Sequence, residues 1–455
     1  MTATDRSRRL RRMLPIALAG AVLGTGALLA APLVPPGSLA PGAATPAASP
    51  AAAASPTAGP WVASPPSPTA TPDPSATPSP PAPAARERAS ATGPRRAALQ
   101  AQLDRLRERA GLPGISVAII FDDGTTWLGQ SGLADIDAGE AVTRDTAFAI
   151  ASVTKTFTAA LTLSLVDDGL LGLDAPVRRY LPDLDPGMDP RITVRQLLDH
   201  TSGLRDYFLD PRIDRALLGD RSATWDAARA LGYAGASTAT PGRVWRYSNT
   251  NYVVLGLLAE RVTGRPLGDL YRTRFIEPLR LDDTVYQPDG PASGPVAHAY
   301  RLAGDAPGAA SAAVDLSDGT RIVPFTSVIT AAGAAGGMAA SADDLARWGR
   351  ALYTGQVLTA SSLGEMLAGV ARTEALAPRL PYGLGVQAID ILARPTLGHS
   401  GRLLGSRALL RHLPTEGITI ALLTNQSRAD PAPIARALLR TAILPIERCH
   451  CLAQD

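Results

Sequence analysis

The segment Ala151-Ser-Val-Thr-Lys-Thr-Phe157 places a serine and a lysine three residues apart in a largely apolar stretch. Lysine occurs once among the 455 residues, at position 155, and the other 43 of the 44 basic residues are arginine. Residues 152–168 have the pattern of a largely buried helix, in which Ser152 and Lys155 share one face with Cβ atoms about 5–6 Å apart. The segment therefore predicts a paired serine and lysine at the start of a core helix.

The chemistry of this pair depends on the burial of the lysine. Its apolar neighbours are Phe148, Ile150, Val153 and Phe157. Burial among them should lower the pKa of Lys155 and supply a free amine, which arginine cannot supply because it does not deprotonate in proteins. The free N–H groups and the dipole at a helix start favour an anion that develops at Ser152. The alternative interpretation is a surface lysine beside a capping serine.

Outward from this segment, strand patterns stand near both ends of a folded region. Residues 114–121 predict a buried strand, Asp122-Asp-Gly124 a hairpin turn and residues 125–129 the return strand. Nearer the C-terminus, three further runs are typical of strands, at residues 383–391, 406–412 and 418–423. We therefore expect an antiparallel sheet that is built from both ends of the domain.

Helical patterns flank and separate these strands. Further helices are predicted around residues 99–106, 341–353 and 431–439. Residues 170–330 contain helix and loop patterns with few signs of strands. The expected fold class is α/β in the α+β sense, with a central antiparallel sheet flanked by helices and an inserted all-α subdomain. A cleft is expected where the sheet and the subdomain meet.

Two further patches carry side chains suited to catalysis. In Tyr247-Ser-Asn249, the phenol can relay a proton and the amide can hold either the lysine or a substrate carbonyl. Gly398-His-Ser-Gly401 leads toward the expected strand near residue 406, and its small residues let a substrate lie against the backbone. His399 can act electrostatically or as a proton partner. The alternatives are a packed tyrosine beside a turn asparagine, and a histidine satisfied within a turn.

Ser152-x-x-Lys155, Tyr247-x-Asn249 and His399-Ser-Gly401 occur in the order of the three motifs of the penicillin-recognising serine hydrolases. The chain resembles this family, which contains serine β-lactamases, D-alanyl-D-alanine carboxypeptidases and esterases. Further similar segments are Thr193-Val-Arg-Gln-Leu-Leu-Asp-His-Thr-Ser-Gly-Leu204, Tyr247-Ser-Asn-Thr-Asn-Tyr-Val-Val-Leu-Gly256, Gly336-Gly337 ahead of Ala342-Asp-Asp-Leu345, and the residues from Gly398 to Gly405. The resemblance covers about residues 97–443 and implies the sheet-plus-helical-domain fold expected above.

The resemblance implies a role for each motif residue. Ser152 is the acylated nucleophile, Lys155 and Tyr247 share the general-base and proton-shuttle role, and Asn249 orients the substrate amide. The substrate also contacts Ser400 and Gly401, His399 faces the leaving group, and the backbone N–H groups of Ser152 and Arg402 form the oxyanion hole. His200 lies in a similar segment and is interpreted as structural. No cofactor or metal is implied.

One departure from the family pattern limits the expected substrates. Because the chain has no second lysine, it has no Lys-Thr-Gly element, and β-lactamase activity is expected to be slow or absent. The leading hypothesis is a D-alanyl-D-alanine carboxypeptidase-like hydrolase of cell-wall peptides. An esterase or a weak β-lactamase with the same machinery is the nearest alternative. A penicillin- or peptide-binding sensor that is acylated without turnover is an alternative of another class.

The chain outside the catalytic region predicts export. Five arginines precede the uncharged residues 13–34, which fits a signal peptide or an uncleaved membrane anchor. The predicted division is residues 1–34 as signal or anchor, 35–94 as a disordered Pro/Ala/Ser/Thr-rich linker, 95–445 as the catalytic domain and 446–455 as a tail. The tail contains Cys449 and Cys451, whose spacing is too tight to staple a fold.

The charge distribution argues against a nucleic-acid partner. The first twelve residues carry five arginines and one aspartate, a net charge of +4, so the remaining residues carry −1 of the total +3. The basic character therefore belongs to the N-terminus. The expected partners are a small peptide, ester or β-lactam substrate, the cell wall, and a membrane that the N-terminal segment contacts.

Overall fold

The computed structural model describes residues 92–184, 187–302, 313–374, 376, 381–428 and 430–444. The expected signal or anchor segment, residues 35–91 of the expected linker, and Cys449 and Cys451 lie outside these residues. In the described part of the chain, no helix is long and apolar enough to cross a membrane.

The described residues contain strands from both ends of the domain. They are β1 (Gly114–Ile120), β2 (Thr126–Asp135), β3 (Glu140–Ala141), β4 (Phe148–Ala149), β5 (Val285–Tyr286), β6 (Tyr300–Leu302), β7 (Ala313–Asp315), β8 (Met338–Ala340), β9 (Gln387–Ile391), β10 (Arg394–Leu403), β11 (Ser406–Leu413) and β12 (Ile418–Thr424). Seven of them form an antiparallel sheet in the order β3-β2-β1-β12-β11-β10-β9, in which β1 pairs with β12. The expected sheet from both ends is therefore confirmed.

The described helices surround this sheet and fill the middle of the domain. They are α1 (Gly93–Ala110), α2 (Thr154–Asp167), α3 (Val194–Leu198), α4 (Ile213–Gly219), α5 (Ala227–Leu231), α6 (Asn249–Thr263), α7 (Leu267–Tyr271), α8 (Glu277–Leu279), α9 (Thr326–Ala332), α10 (Ala342–Tyr353), α11 (Ala360–Glu374) and α12 (Pro431–Ile443). The segment from α3 to α9 lies between β4 and β8 in the chain and forms the expected helical insertion. The α/β fold with an inserted helical subdomain is confirmed.

The two faces of the sheet pack against different helices because side chains alternate along a strand. On one face, Val117 of β1 and Ile420 of β12 share an apolar cluster with Leu103 of α1 and Leu438 of α12. On the other face, residues such as Ala118 belong to the larger core that contains α2, α6 and α10. A helix-sheet-helix arrangement results, with α2 in the layer that joins the sheet to the helical insertion.

The structure differs from the sequence-based expectation in one element that matters for the site. The motif Gly398-His-Ser-Gly401 lies inside a strand of its own, β10, which the predicted strands at residues 383–391 and 406–412 do not include; a turn joins β10 to β11, which starts at Ser406 as expected. The return strand β2 is also longer than residues 125–129, and α1 begins at Gly93, two residues before the expected domain boundary.

Candidate active site

Ser152 lies in a tight turn between β4 and α2. The turn is a single 3-10 segment, Ala151–Val153, so Ser152 precedes the α-helix instead of lying in its first turn as expected. Ala151 has a φ of 48°, a left-handed conformation that is strained for a residue with a side chain. Ser152 is 7% exposed. The strained backbone therefore presents a largely buried hydroxyl at the junction between the sheet and the helical insertion.

Lys155 is fully buried, and three oxygen atoms surround its Nζ atom. Nζ lies 2.8 Å from Oδ1 of Asn249, 2.6 Å from the carbonyl oxygen of Ala335 and 3.1 Å from Oγ of Ser152. A neutral amine has two N–H donors and one lone pair. The amide and carbonyl oxygens can only accept, so they take the two donors and leave the lone pair facing the Ser152 hydroxyl.

Burial makes the neutral form of this lysine accessible. It lowers the pKa of Lys155 to about 7, because the charged form loses its hydration, while the negative charge of Asp206 acts in the opposite direction. The predicted burial of the lysine agrees with this geometry, and the surface-lysine alternative does not. At neutral pH a substantial fraction of Lys155 is a free amine beside the serine hydroxyl.

Asn249 begins α6 and connects the lysine to a carboxylate. Its Oδ1 accepts from Lys155 and its Nδ2 donates to Oδ2 of Asp206 over 2.8 Å. The expectation from sequence was that this amide holds either the lysine or a substrate carbonyl. In the structure it holds the lysine, and one of its N–H groups is committed to Asp206.

Tyr247 packs beside the same amine. Its ring centroid lies 5.0 Å from Nζ of Lys155 and 4.3 Å from the ring of His200. Burial raises the pKa of the Tyr247 hydroxyl, whereas interaction with the Ser152 side chain lowers it. The net shift is upward, so the phenol is protonated at neutral pH. Between these two groups, Lys155 is the one that can accept a proton, and Tyr247 is suited to pass one on.

His399 is held by contacts at both ring nitrogens. Nε2 lies 2.9 Å from the hydroxyl of Tyr382, and Nδ1 lies 2.7 Å from the carbonyl oxygen of Ser400. The carbonyl requires a proton on Nδ1, so Nε2 accepts from the tyrosine. Burial and the charge of Lys155 hold the pKa of His399 well below its usual range. The histidine is therefore neutral, and proton transfer through it requires Tyr382 to release Nε2.

Ser400 and Gly401 lie on β10 beside the nucleophile turn. Ser400 is exposed, and both its backbone N–H and its hydroxyl donate to Oε1 of Gln387, over 3.0 and 3.2 Å. The backbone at Gly401 passes so close to the carbonyl of Ile150 that an added Cβ would overlap that oxygen. Arg402 follows on the same strand and pairs with Arg407 of β11. The strand edge thus runs directly alongside the serine.

His200 has a supporting position. Its Nδ1 lies 3.2 Å from the backbone nitrogen of Ser248 and 3.0 Å from Nδ2 of Asn251. Since both partners donate, Nδ1 is the acceptor nitrogen and the proton is on Nε2. His200 thereby fixes the chain segment that leads from Tyr247 into α6, in agreement with the structural interpretation of this residue.

The motif residues that sequence reasoning selected are brought together, and three groups near them were missed. Asp206 and Tyr382 contact Asn249 and His399, and the carbonyl of Ala335 contacts Lys155. The sequence contains one weak signal for Asp206: this acidic residue stands directly before two aromatic residues in the loop after the His-Thr-Ser-Gly segment. A backbone carbonyl carries no sequence signal. In the described residues, no group of side chains is arranged to hold a metal ion.

Comparisons with known proteins identify the family. A family model described as Beta-lactamase matches residues 99–443, more than half of the chain. The chain is 40% identical over 205 residues to esterase EstB of Burkholderia gladioli, covering 41% of this chain and 51% of the esterase. It is 34% identical over 195 residues to penicillin-binding protein 4 of Amycolatopsis lactamdurans, covering 42% of this chain and 49% of that protein.

The chain spans about half the length of these curated relatives. Among solved structures, a D-stereospecific amidohydrolase from Streptomyces sp. superposes with a TM-score of 0.64 at 31% identity, over 76% of this chain and 98% of that one. The shared fold, the family match and the buried serine-lysine pair agree with one another. The chain therefore belongs to the β-lactamase family.

Proposed function

We propose that this protein is an exported hydrolase that forms an acyl-enzyme at Ser152 and cleaves D-alanyl-D-alanine-type peptides of the cell wall. The observation that carries the proposal is the 3.1 Å approach of Lys155 Nζ to Ser152 Oγ, with two acceptor oxygens within 2.8 Å of the same nitrogen. This arrangement prepares a base for a nucleophile before a substrate binds.

The first half of the reaction follows from this geometry. Nζ of neutral Lys155 takes the proton of Ser152 while Oγ attacks the substrate carbonyl carbon. The carbonyl oxygen becomes an oxyanion, which the backbone N–H groups of Ser152 and Arg402 would bind. The bond to the leaving group then breaks, and the leaving amine or alkoxide takes the proton from Lys155, with Tyr247 as the relay. The product is an ester between Ser152 and the acyl group.

The second half of the reaction returns the enzyme to its starting state. Water attacks the ester carbonyl, and Lys155 with Tyr247 again accepts and returns a proton. Ser152 is released as an alcohol and the acyl group as a carboxylic acid. The protonated, buried Tyr247 suits a group that must donate to a leaving atom and recover its proton.

Two observations support a peptide bond that involves a D-amino acid as the target. The superposed solved structure belongs to a protein described as a D-stereospecific amidohydrolase, and it covers most of both chains. Ser400 is an exposed residue of β10, where an extended substrate can lie along the strand edge. Because the chain has no second lysine, it lacks a Lys-Thr-Gly element, and this lack supports a low β-lactamase rate.

An esterase is the second candidate function. It is favoured by the 40% identity to esterase EstB of Burkholderia gladioli. An ester needs less help than an amide at the leaving group, so an esterase would depend less on the proton relay through Tyr247.

A single experiment separates these functions. The protein is incubated with a D-alanyl-D-alanine peptide, a short-chain aryl ester and a β-lactam, with product assays and intact mass spectrometry, and Ser152→Ala serves as the control. Release of D-alanine with rapid turnover is the expected result. Turnover of the ester alone would make the protein an esterase. A stable acyl adduct without turnover would make it a sensor.

Export has its own test. The N-terminal arginines and the uncharged residues 13–34 support a signal or anchor segment, and residues 35–94 support a spacer outside the membrane. When the full chain is expressed in a bacterial host, protease added to intact spheroplasts should degrade the catalytic domain. A protected domain would place it on the cytoplasmic side and overturn the proposed location.

A further inference from the structure

Asp206 is a buried carboxylate next to the proposed site that the mechanism above does not use. It is 3% exposed and stands directly before the 3-10 segment Tyr207–Leu209. One carboxylate oxygen, Oδ1, accepts from the backbone N–H of Phe208 over 3.1 Å, and the other accepts from Nδ2 of Asn249 over 2.8 Å. Burying a charged group costs free energy. Capping of a short turn explains the contact of Asp206 with Phe208, but it does not explain the contact with Asn249.

The contact with Asp206 determines how the amide of Asn249 is oriented. An ionised carboxylate only accepts hydrogen bonds, and the lysine Nζ donates to the amide oxygen. If the amide turned over, its oxygen would face the carboxylate and its NH₂ group would face the N–H of Lys155. Both contacts would become repulsive, so Asp206 and Lys155 together fix one orientation of Asn249.

We propose that Asp206 is a positioning residue for acylation: it fixes the orientation of Asn249 and supplies, across that amide, a negative charge that stabilises the ammonium form of Lys155. This inference rests on the proposed role of Lys155 as the base. One N–H of Asn249 is committed to the carboxylate, which leaves the second as the only amide N–H available to a substrate carbonyl.

The electrostatic effect on Lys155 has a definite sign. Burial lowers the pKa of Lys155 and the Asp206 charge raises it. The other titratable groups around the pair are Tyr247, Tyr252, Tyr207, His200 and His399. The pKa values of the two histidines are held well below the usual range and those of the three tyrosines are raised, so these groups are neutral near pH 7. Burial raises the pKa of Asp206 itself, and its hydrogen bonds with Phe208 and Asn249 and the charge of Lys155 act in the opposite direction. In its ionised form, Asp206 is the nearby charge that raises the pKa of Lys155, so that the amine titrates closer to neutral pH, where a base works best.

The single lysine of this chain allows a direct test. Protein labelled with lysine that carries ¹³C at Cε gives one lysine side-chain signal, whose pH titration reports the pKa of Lys155 without any substrate. In Asp206→Asn the carboxylate becomes an amide of the same shape, and asparagine is itself a good cap for a helical turn. We expect the titration midpoint to fall by about one pH unit, the low end of the range for loss of a neighbouring opposite charge.

Matched variants separate charge from structure. Asp199 is another buried aspartate that caps its own loop through Thr201, whereas the charge that raises the pKa of Lys155 is that of Asp206. Asp199→Asn should leave the midpoint unchanged, and Asp206→Glu, which retains the charge, should keep it near the wild-type value. If Asp206→Asn fails to fold, Asp206→Ser provides the neutral variant.

An unchanged Lys155 midpoint in a folded, neutral Asp206 variant would overturn the inference and leave Asp206 as a capping residue. An equal fall in Asp199→Asn would overturn it as well, because the effect would then be general loosening. Neither result depends on turnover, so failure of the proposed hydrolase activity would be recognised separately in the substrate assays.

Discussion

Nζ of Lys155 lies 3.1 Å from Oγ of Ser152, and the oxygens of Asn249 and Ala335 lie 2.8 and 2.6 Å from the same nitrogen. The two residues are three positions apart in the chain, but the helix alone does not aim the amine. Two acceptors from distant segments use both N–H bonds of the neutral form and leave the lone pair for the serine. The serine and the lysine are neighbours in the sequence, but contacts with distant segments leave the lone pair of the amine for the serine.

Replacing Lys155 with arginine should remove the group that accepts the proton of Ser152. A guanidinium stays charged at neutral pH, and its planar fork is larger than the ammonium that the buried site accommodates. We expect Lys155→Arg to fold and to lose at least about 10³-fold in Ser152 acylation, a barrier increase of roughly 4 kcal/mol. Labelling with a fluorescent β-lactam or activated ester, with a melting curve alongside and Ser152→Ala as the background, measures the loss. Near-native labelling by the folded variant would remove the lysine as a base.

The rate of acylation should depend on pH in a way that reflects the lysine. With a pKa of about 7, Lys155 is mostly protonated below that pH and cannot accept the serine proton. The acylation rate constant is therefore expected to rise about tenfold per pH unit from about pH 5 and to level off above about pH 7.5. The measurement uses an activated ester over a pH range in which the protein stays folded. A rate that is flat from about pH 5 to 8 would contradict a titrating base.

The contributions of His399 and its partner Tyr382 to acylation can be measured separately with two variants. His399→Gln should lower acylation by about 10²-fold, the usual contribution of an acid–base group. Tyr382→Phe keeps the ring and removes only the hydroxyl that occupies Nε2, so its expected loss is less than tenfold. Both rates are measured with the same activated ester. A loss below tenfold in folded His399→Gln would exclude His399 from proton transfer and leave the two hydrogen bonds of its ring as its whole role.

The domain boundary can be tested by two deletions. Helix α1 starts at Gly93, and its Leu99 and Leu103 are fully buried in the cluster with β1 and α12. A variant without residues 1–91 should remain folded and active. A variant without residues 1–110 loses both leucines and should be destabilised by about 4 kcal/mol or more, given 2–5 kcal/mol for each buried leucine. Chemical unfolding and the acylation assay compare them, and an inactive first variant would move the boundary toward the N-terminus.

The sequence predicted those parts of the site that depend on local spacing. The Ser152–Lys155 pair follows from the three-residue spacing, although Ser152 lies in the 3-10 segment just before α2. Its burial follows from the apolar residues around it. By contrast, Asp206 lies 43 positions before Asn249, and nothing in the local pattern of either residue indicates that they meet. The same holds for Tyr382 and His399, which are joined only by the pairing of neighbouring strands and loops.

Strand β10 shows why a secondary-structure pattern can mislead at a functional site. The predicted strands did not include this segment, and its glycines are needed because the strand must approach other backbone closely. An added Cβ at Gly398 would overlap the backbone of Leu410, and one at Gly401 would overlap the carbonyl of Ile150. Gly398 therefore lets β10 lie close to β11, and Gly401 lets it lie beside the nucleophile turn.

Gly401→Ala tests this close approach. The added methyl group would have to displace the Ile150 carbonyl, two residues before Ser152, or move β10 away from it. Because a shift of about 1 Å in a reacting group can reduce a rate about 10²-fold, we expect a loss of that size in Ser152 acylation. Gly364→Ala is the matched control, since no atom beyond its own helix and chain neighbours lies within 4 Å of the added Cβ and alanine favours a helix. That variant should keep native acylation. Native labelling by folded Gly401→Ala would show that the strand edge can move away from the turn without affecting the serine.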